Sequence, residues 1–147
     1  MSPKERPIEV IARAVIFKGG RVLLVRKKGA GNTFLPGGHI DWCEPARRAL
    51  RRELVEELGR ILRVGRFLGN VEHRFGRGGG RTHELNFLFL VQGQGLPERV
   101  LSRESKLEFF WHPARDLKSI NLQPAPLQKL VPALRKNSKP VWASTME

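Results

Sequence analysis

The stretch Gly38-His39-Ile40-Asp41-Trp42-Cys43-Glu44-Pro45-Ala46-Arg47-Arg48-Ala49-Leu50-Arg51-Arg52-Glu53-Leu54-Val55-Glu56-Glu57-Leu58-Gly59-Arg60 decides how the chain is read. Just before it, Pro36-Gly37-Gly38 marks a break where the backbone can take conformations closed to other residues. Pro45 suits the first helical position, where its missing N–H costs nothing, and Glu44 precedes it near the positive end of the helix. Gly59 suits the C-terminal stop. A helix is therefore expected from about Pro45 to Leu58, with Leu50, Leu54 and Leu58 as its apolar stripe.

At about 100° per residue, Glu53, Glu56 and Glu57 share one face of that helix and border its buried side. The placement breaks two local rules. Carboxylates at i and i+4 repel, and all three lie in the last turn and a half, where the helix dipole disfavours anions. A solvated acidic face with Arg52 paired to Glu56 is the plain alternative. Two local penalties at one spot favour a bound cation instead. Clustered carboxylate oxygens suit a hard ion such as Mg²⁺, which keeps several waters and bridges protein carboxylates to phosphates.

The rest of the chain makes this acidic spot stand out. The 147 residues carry 27 Lys and Arg against 14 Asp and Glu, a formal net charge of +13. Five of the acids, Asp41, Glu44, Glu53, Glu56 and Glu57, fall between positions 41 and 57. So strong a basic excess attracts phosphates, on small nucleotides or on a nucleic-acid backbone. The length suits one domain over residues 1–147, and 40% apolar content suffices for an ordinary core. No apolar run reaches the roughly 18 residues of a membrane span, and the N-terminus lacks the pattern of a secretory signal. Cys43 is the single cysteine, so no intramolecular disulfide forms. A soluble cytoplasmic protein is expected.

Outward from the helix, Ile8 to Phe17 and Val22 to Val25 flank Gly19-Gly20 and read as a β-hairpin. Val64 to Leu68 and Asn70 to Phe75 read as two β segments before the turn Gly76-Arg77-Gly78-Gly79-Gly80. In Thr82 to Val91 one face carries Leu85, Phe87, Phe89 and Val91, and the other carries Glu84 and Asn86 with Leu88 and Leu90. Leu107 to Trp111 is a further strand, and Pro113 is expected to open a short helix. Leu127, Leu130, Val131 and Leu134 have helical spacing in a last helix that Pro132 should kink or break. The tail beyond Lys136 is expected to be frayed. Nothing marks an inter-domain linker.

Gly38, five residues, Glu44, seven residues, then Arg52-Glu53-Leu54-Val55-Glu56-Glu57-Leu58-Gly59 resembles the signature of the Nudix hydrolases, G-x5-E-x7-R-E-U-x-E-E-x-G-U, where U is aliphatic. The one departure is the last position, occupied by Arg60. Leu35-Pro36-Gly37-Gly38 resembles the family's lead-in, and Trp111-His112-Pro113 with Asp116-Leu117 resembles its strand-to-helix exit. The resemblance implies an α/β/α sandwich with a mixed sheet. It implies hydrolysis of a nucleoside diphosphate linked to another moiety, by water attack on phosphorus assisted by Mg²⁺ or Mn²⁺. By motif position Glu56 and Glu57 would be the chief metal ligands, with the Gly38 carbonyl an additional one. Glu53 would be a further ligand or help to activate water, Arg52 would orient the carboxylates, and Glu44 would hold loop to helix. Pyrophosphate hydrolysis needs metals that neutralise phosphate charge and lower the pKa of a bound water.

The general base is expected from the helix or from a loop outside the box. Glu104 in the polar loop before Trp111 is the first candidate, with Glu108 and Glu84 as rivals. His39 and His73 could contact phosphate, and Phe34, Phe75 and Trp111 could stack on a base; core or structural packing is the alternative for each. Cys43 lacks a His partner motif and is no nucleophile. The expected substrate is a small nucleotide: a nucleoside triphosphate, a nucleotide sugar or a dinucleoside compound. An RNA 5′ end is the alternative, motivated by the charge and by Arg74, Arg77 and Arg81. A non-catalytic nucleotide-binding module is a third reading. A homodimer is carried as a partner state.

Overall fold

The computed structural model describes residues 6–77 and 81–147. Among the described residues, eight strands and two helices run in the order β1 (Glu9–Val15), β2 (Phe17–Lys18), β3 (Arg21–Lys27), β4 (Gly37–His39), α1 (Ala46–Leu58), β5 (Val64–Phe75), β6 (Thr82–Val91), β7 (Leu107–Pro113), α2 (Leu127–Leu134) and β8 (Val141–Ser144). One five-stranded sheet has the order β4-β1-β6-β5-β8, and a three-stranded sheet has the order β2-β3-β7. The larger sheet is mixed. β1 runs parallel to β6 and β5 parallel to β8, while β1/β4 and β5/β6 are antiparallel.

Alternation along β1 and β6 splits the core in two. Ala12, Ala14, Phe89 and Val91 pack with Leu50, Leu54 and Leu58 of α1. Val15 and Leu88 point the other way, into a second cluster with Leu68, Val71 and the α2 residues Leu127, Val131 and Leu134. The helices thus cover opposite faces of the sheet, the α/β/α layering that the resemblance implied. Leu50 and Leu54 are fully buried, each contributing roughly 2 kcal/mol through the apolar surface it removes from water.

Several expectations need correction. The hairpin around Gly19-Gly20 is only two residues deep, Phe17 and Lys18 against Val22 and Arg21. Both edges of β1 are taken by β4 and β6, so β3 pairs with β7 instead. The two segments from Val64 to Phe75 are one strand with irregular register around Phe67 and Gly69. Pro113 opens no helix; it ends β7 opposite Arg21, and turns follow. Pro132 lies inside α2 without ending it. Burial of Leu127, Val131 and Leu134 offsets the one hydrogen bond the ring removes. Residues beyond Lys136 were expected to fray, yet Val141–Ser144 add to the free edge of β5 as β8.

Candidate active site

Helix α1 begins after Pro45, whose extended backbone caps it, and ends at Gly59 with φ 67°, where the Gly59 N–H donates to the Val55 carbonyl. Between these stops Arg52 is the hub. Its Nε donates to Glu44 Oε2 at 2.8 Å and its Nη2 to Glu44 Oε1 at 2.9 Å, a two-point grip on the loop ahead of the helix. The same guanidinium donates to the His39 carbonyl at 3.1 Å, to Glu53 Oε1 at 3.1 Å and to Glu56 Oε1 at 3.3 Å. Fork-shaped donors suit this task, since one planar group fixes several oxygens at once. The Arg52 hydrogen bonds, with one from the Asp41 N–H, hold the Glu44 carboxyl down to about 2. The i to i+4 pairing of Arg52 with Glu56 does form, as one arm of this larger network.

Glu57 is the unusual group. It is 8% exposed and its Oε2 has no hydrogen-bond partner. Burial pushes its carboxyl up to about 8, Glu53 adds to the rise, and Arg13 opposes it. Glu53 is also raised, first by burial. Gly38 lies so close to Glu53 that a Cβ there would overlap its carboxylate. A buried, unpartnered carboxylate oxygen beside a second carboxylate fits a cation better than solvent, because desolvated charges need a counter-charge. Among the described residues no three acidic, His or Cys side chains enclose an ion by themselves. A hard ion held here would take water and phosphate oxygens for its remaining ligands.

A cleft of about 650 Å³ opens beside these groups, lined by Gly38, Glu53 and Glu57 and also by Phe34, His73 and Phe75. Glu56 does not line it; it is exposed and tied to Arg52. Phe34 and Phe75 both face the cleft, whereas the Trp111 indole N–H donates to the Pro97 carbonyl, away from it. His39 lines the cleft and sits 3.4 Å from Glu9. Cys43 is exposed, with φ 60°.

The candidate bases separate by position. Glu84 is buried in the cleft wall, where its Oε1 accepts a hydrogen bond from Asn86 Nδ2 at 3.0 Å. Glu108 is held by Arg26 at 2.7 Å and does not line the cleft. Glu104 is exposed and not in the cleft lining, yet its charge is felt at Glu57. The chain there is tied to α1 by the Arg103 N–H, which donates to the Glu57 carbonyl at 2.7 Å.

One residue escaped the sequence reading. Arg13 projects from β1 into the cleft, its Nε donating to Asn86 Oδ1 at 3.2 Å and its Nη1 to the Leu35 carbonyl at 3.0 Å. It lies over the Phe34 ring and in the field of Glu84, Glu57 and Glu53. Its signal in the sequence was a lone charge inside the apolar run Val10-Ile11-Ala12-Arg13-Ala14-Val15.

The model of the NUDIX domain matches residues 7–134. The chain belongs to the Nudix family. Nudix hydrolases act on phosphoric anhydride bonds, and solved structures resemble this Nudix chain over most of its length. A MutT NUDIX hydrolase from Burkholderia pseudomallei is 32% identical, with a TM-score of 0.68 over 88% of this chain and 98% of that one. A MutT protein from Methanosarcina mazei is 24% identical, with a TM-score of 0.70 over 92% and 99% of the two chains. An ADP-ribose pyrophosphatase from Streptococcus suis shares the fold at 18% identity and a TM-score of 0.58, over 94% and 99%. A search of curated proteins finds no match. No helix among the described residues is long and apolar enough to cross a membrane.

Proposed function

We propose that this Nudix protein is a Mg²⁺-dependent pyrophosphohydrolase, with Mn²⁺ able to replace Mg²⁺, and that it cleaves a small nucleotide by water attack on phosphorus. The observation that carries the reading is Glu57, a buried carboxylate with an unpartnered oxygen that lines the cleft together with Glu53 and Gly38. Glu53, Glu56, Glu57 and the Gly38 carbonyl are the proposed ligands. The ion, when bound, neutralises phosphate oxygens and lowers the pKa of its water. To serve as a ligand Glu56 would have to leave its contact with Arg52.

The chain's own groups do the rest. Arg52 holds Glu53 in place and, through Glu44, fixes the loop that carries Gly38. Arg13 is held from behind by Asn86 and the Leu35 carbonyl, which leaves Nη2 for a non-bridging phosphate oxygen. Glu104 is the proposed base, with Glu84 as its rival. Phe34, and Phe75 stacked with His73, are the cleft-lining surfaces on which a base would lie.

Incubation with nucleoside triphosphates, nucleotide sugars and dinucleoside polyphosphates, with Mg²⁺ and with EDTA, tests the proposal. Phosphate products only with the metal support it, and no product from any compound refutes it. The +13 charge favours one second reading, the same reaction on an RNA 5′ end. RNA binding that persists at physiological salt and weakens log-linearly with added salt would support that version, and no affinity there would end it.

A further inference from the structure

The family match ends at residue 134, but the chain continues against β5, whose His73 and Phe75 line the cleft. β8 runs parallel to β5 from Gly69 to Glu72, and a Cβ at Gly69 would collide with the Val141 backbone, so the glycine is what lets the two strands meet. Beyond β8, the Thr145 N–H donates to the Glu72 carbonyl at 3.1 Å, and Ser144 Oγ donates to Glu72 Oε1 at 2.8 Å. Thr145 Oγ1 then lies 3.0 Å from His73 Nδ1 while accepting a 3.0 Å hydrogen bond from the Arg74 N–H. His73 stacks on Phe75 with ring centroids 5.1 Å apart, and both rings line the cleft.

We infer that the segment from Val141 to Thr145 is a specificity element of the cleft, in which the Thr145 hydroxyl fixes the orientation and tautomer of His73 as part of the wall that a nucleobase meets. The hydrogen-bond arithmetic assigns the tautomer. Thr145 Oγ1 accepts from the Arg74 N–H, and among the described residues His73 Nδ1 is the one acceptor within reach of its own proton; a Thr145 O–H donated there places the ring proton on Nε2. Burial holds this imidazole below its usual pKa, so the ring is neutral near pH 7. Nε2 has no hydrogen-bond partner among the described residues and is therefore a donor available to an acceptor on a base. Thr145 is thus a positioning residue, acting on substrate only through His73. The inference rests on the proposed function only for the identity of what enters the cleft.

The test uses the full chain, Thr145→Val, which deletes the hydroxyl, and Thr145→Ser, which restores it. Ring ¹⁵N resonances of His73 should report the Nε2–H form in the parent and in Thr145→Ser, and a tautomer mixture in Thr145→Val. The four nucleoside monophosphates, titrated without turnover, should shift those resonances in the parent. With the best-hydrolysed compound, Thr145→Val should raise KM roughly two- to ten-fold, the range of one lost hydrogen bond, with kcat nearly unchanged. Ring resonances that Thr145→Val leaves unchanged overturn the assignment. Resonances that no monophosphate moves, or a KM identical in Thr145→Val and parent, overturn the link to substrate. If no compound is hydrolysed, the proposed function fails, while the resonances still decide the role of Thr145.

Discussion

Replacing Glu57 by Gln isolates the electrostatics of the site, because the amide keeps the shape and removes the charge. Without metal, burial and the neighbouring Glu53 lift the Glu57 carboxyl from 4.5 to about 8. The folded protein therefore keeps a proton that the unfolded chain releases, and stability falls as pH rises from the ordinary carboxylate range through 8. A neutral Gln escapes this loss. From 4.5 to pH 7 is two and a half units at about 1.4 kcal/mol each, so Glu57→Gln should be about 3 kcal/mol more stable than the parent at pH 7 and within about 1 kcal/mol at pH 5. Urea unfolding in EDTA at a series of pH values measures the gap. Mg²⁺ should then stabilise the parent, by about 2.7 kcal/mol at a hundred times its Kd, and leave the variant unmoved. A gap that fails to widen with pH, or a variant stabilised by Mg²⁺ as much as the parent, would refute the reasoning.

Three further substitutions probe the neighbours. Arg52→Lys cannot reproduce the two-point grip on Glu44 and should weaken Mg²⁺ binding roughly 10- to 100-fold by calorimetry, as losses of ligand-orienting residues do. Gly38→Ala forces the flexible end of Glu53 aside; Tm should hardly change while kcat falls on the order of 100-fold, the cost of a misplaced group. Glu104→Gln should lower kcat roughly 10²- to 10⁴-fold with little change in KM if the loop carboxylate is the base, whereas an active variant passes that role to Glu84.

Local features were legible and edge-dependent ones were not. Helix α1 lies between Pro45 and Gly59 as its stop residues predict, and β6 covers Thr82–Val91 because its alternation is self-contained. The partner of Ile8 to Phe17 is not legible because the run looks the same whichever strand it joins; only the competition of β4 and β6 for its edges moves β3 to another sheet. Val141–Ser144 is too short to announce a strand and becomes one because β5 has an open edge. In the site, Glu44, Arg52, Glu53 and Glu57 could be placed together because one helix and its lead-in carry them. Arg13, Glu84 and Asn86 could not, since parallel pairing of β1 with β6 brings distant segments together. What the sequence offered was polar groups in apolar runs, which alone do not say what they face.

In the proposed reaction water, helped by a divalent ion at Glu57, attacks phosphorus in a phosphoric anhydride. Phosphorus NMR of the best substrate hydrolysed in ¹⁸O-water reads that step directly. One ¹⁸O-shifted phosphate product is expected, forming with Mg²⁺ and disappearing with EDTA or with Glu57→Gln. Unlabelled phosphate products, or labelled ones formed at the same rate in EDTA and in the Gln variant, would contradict it.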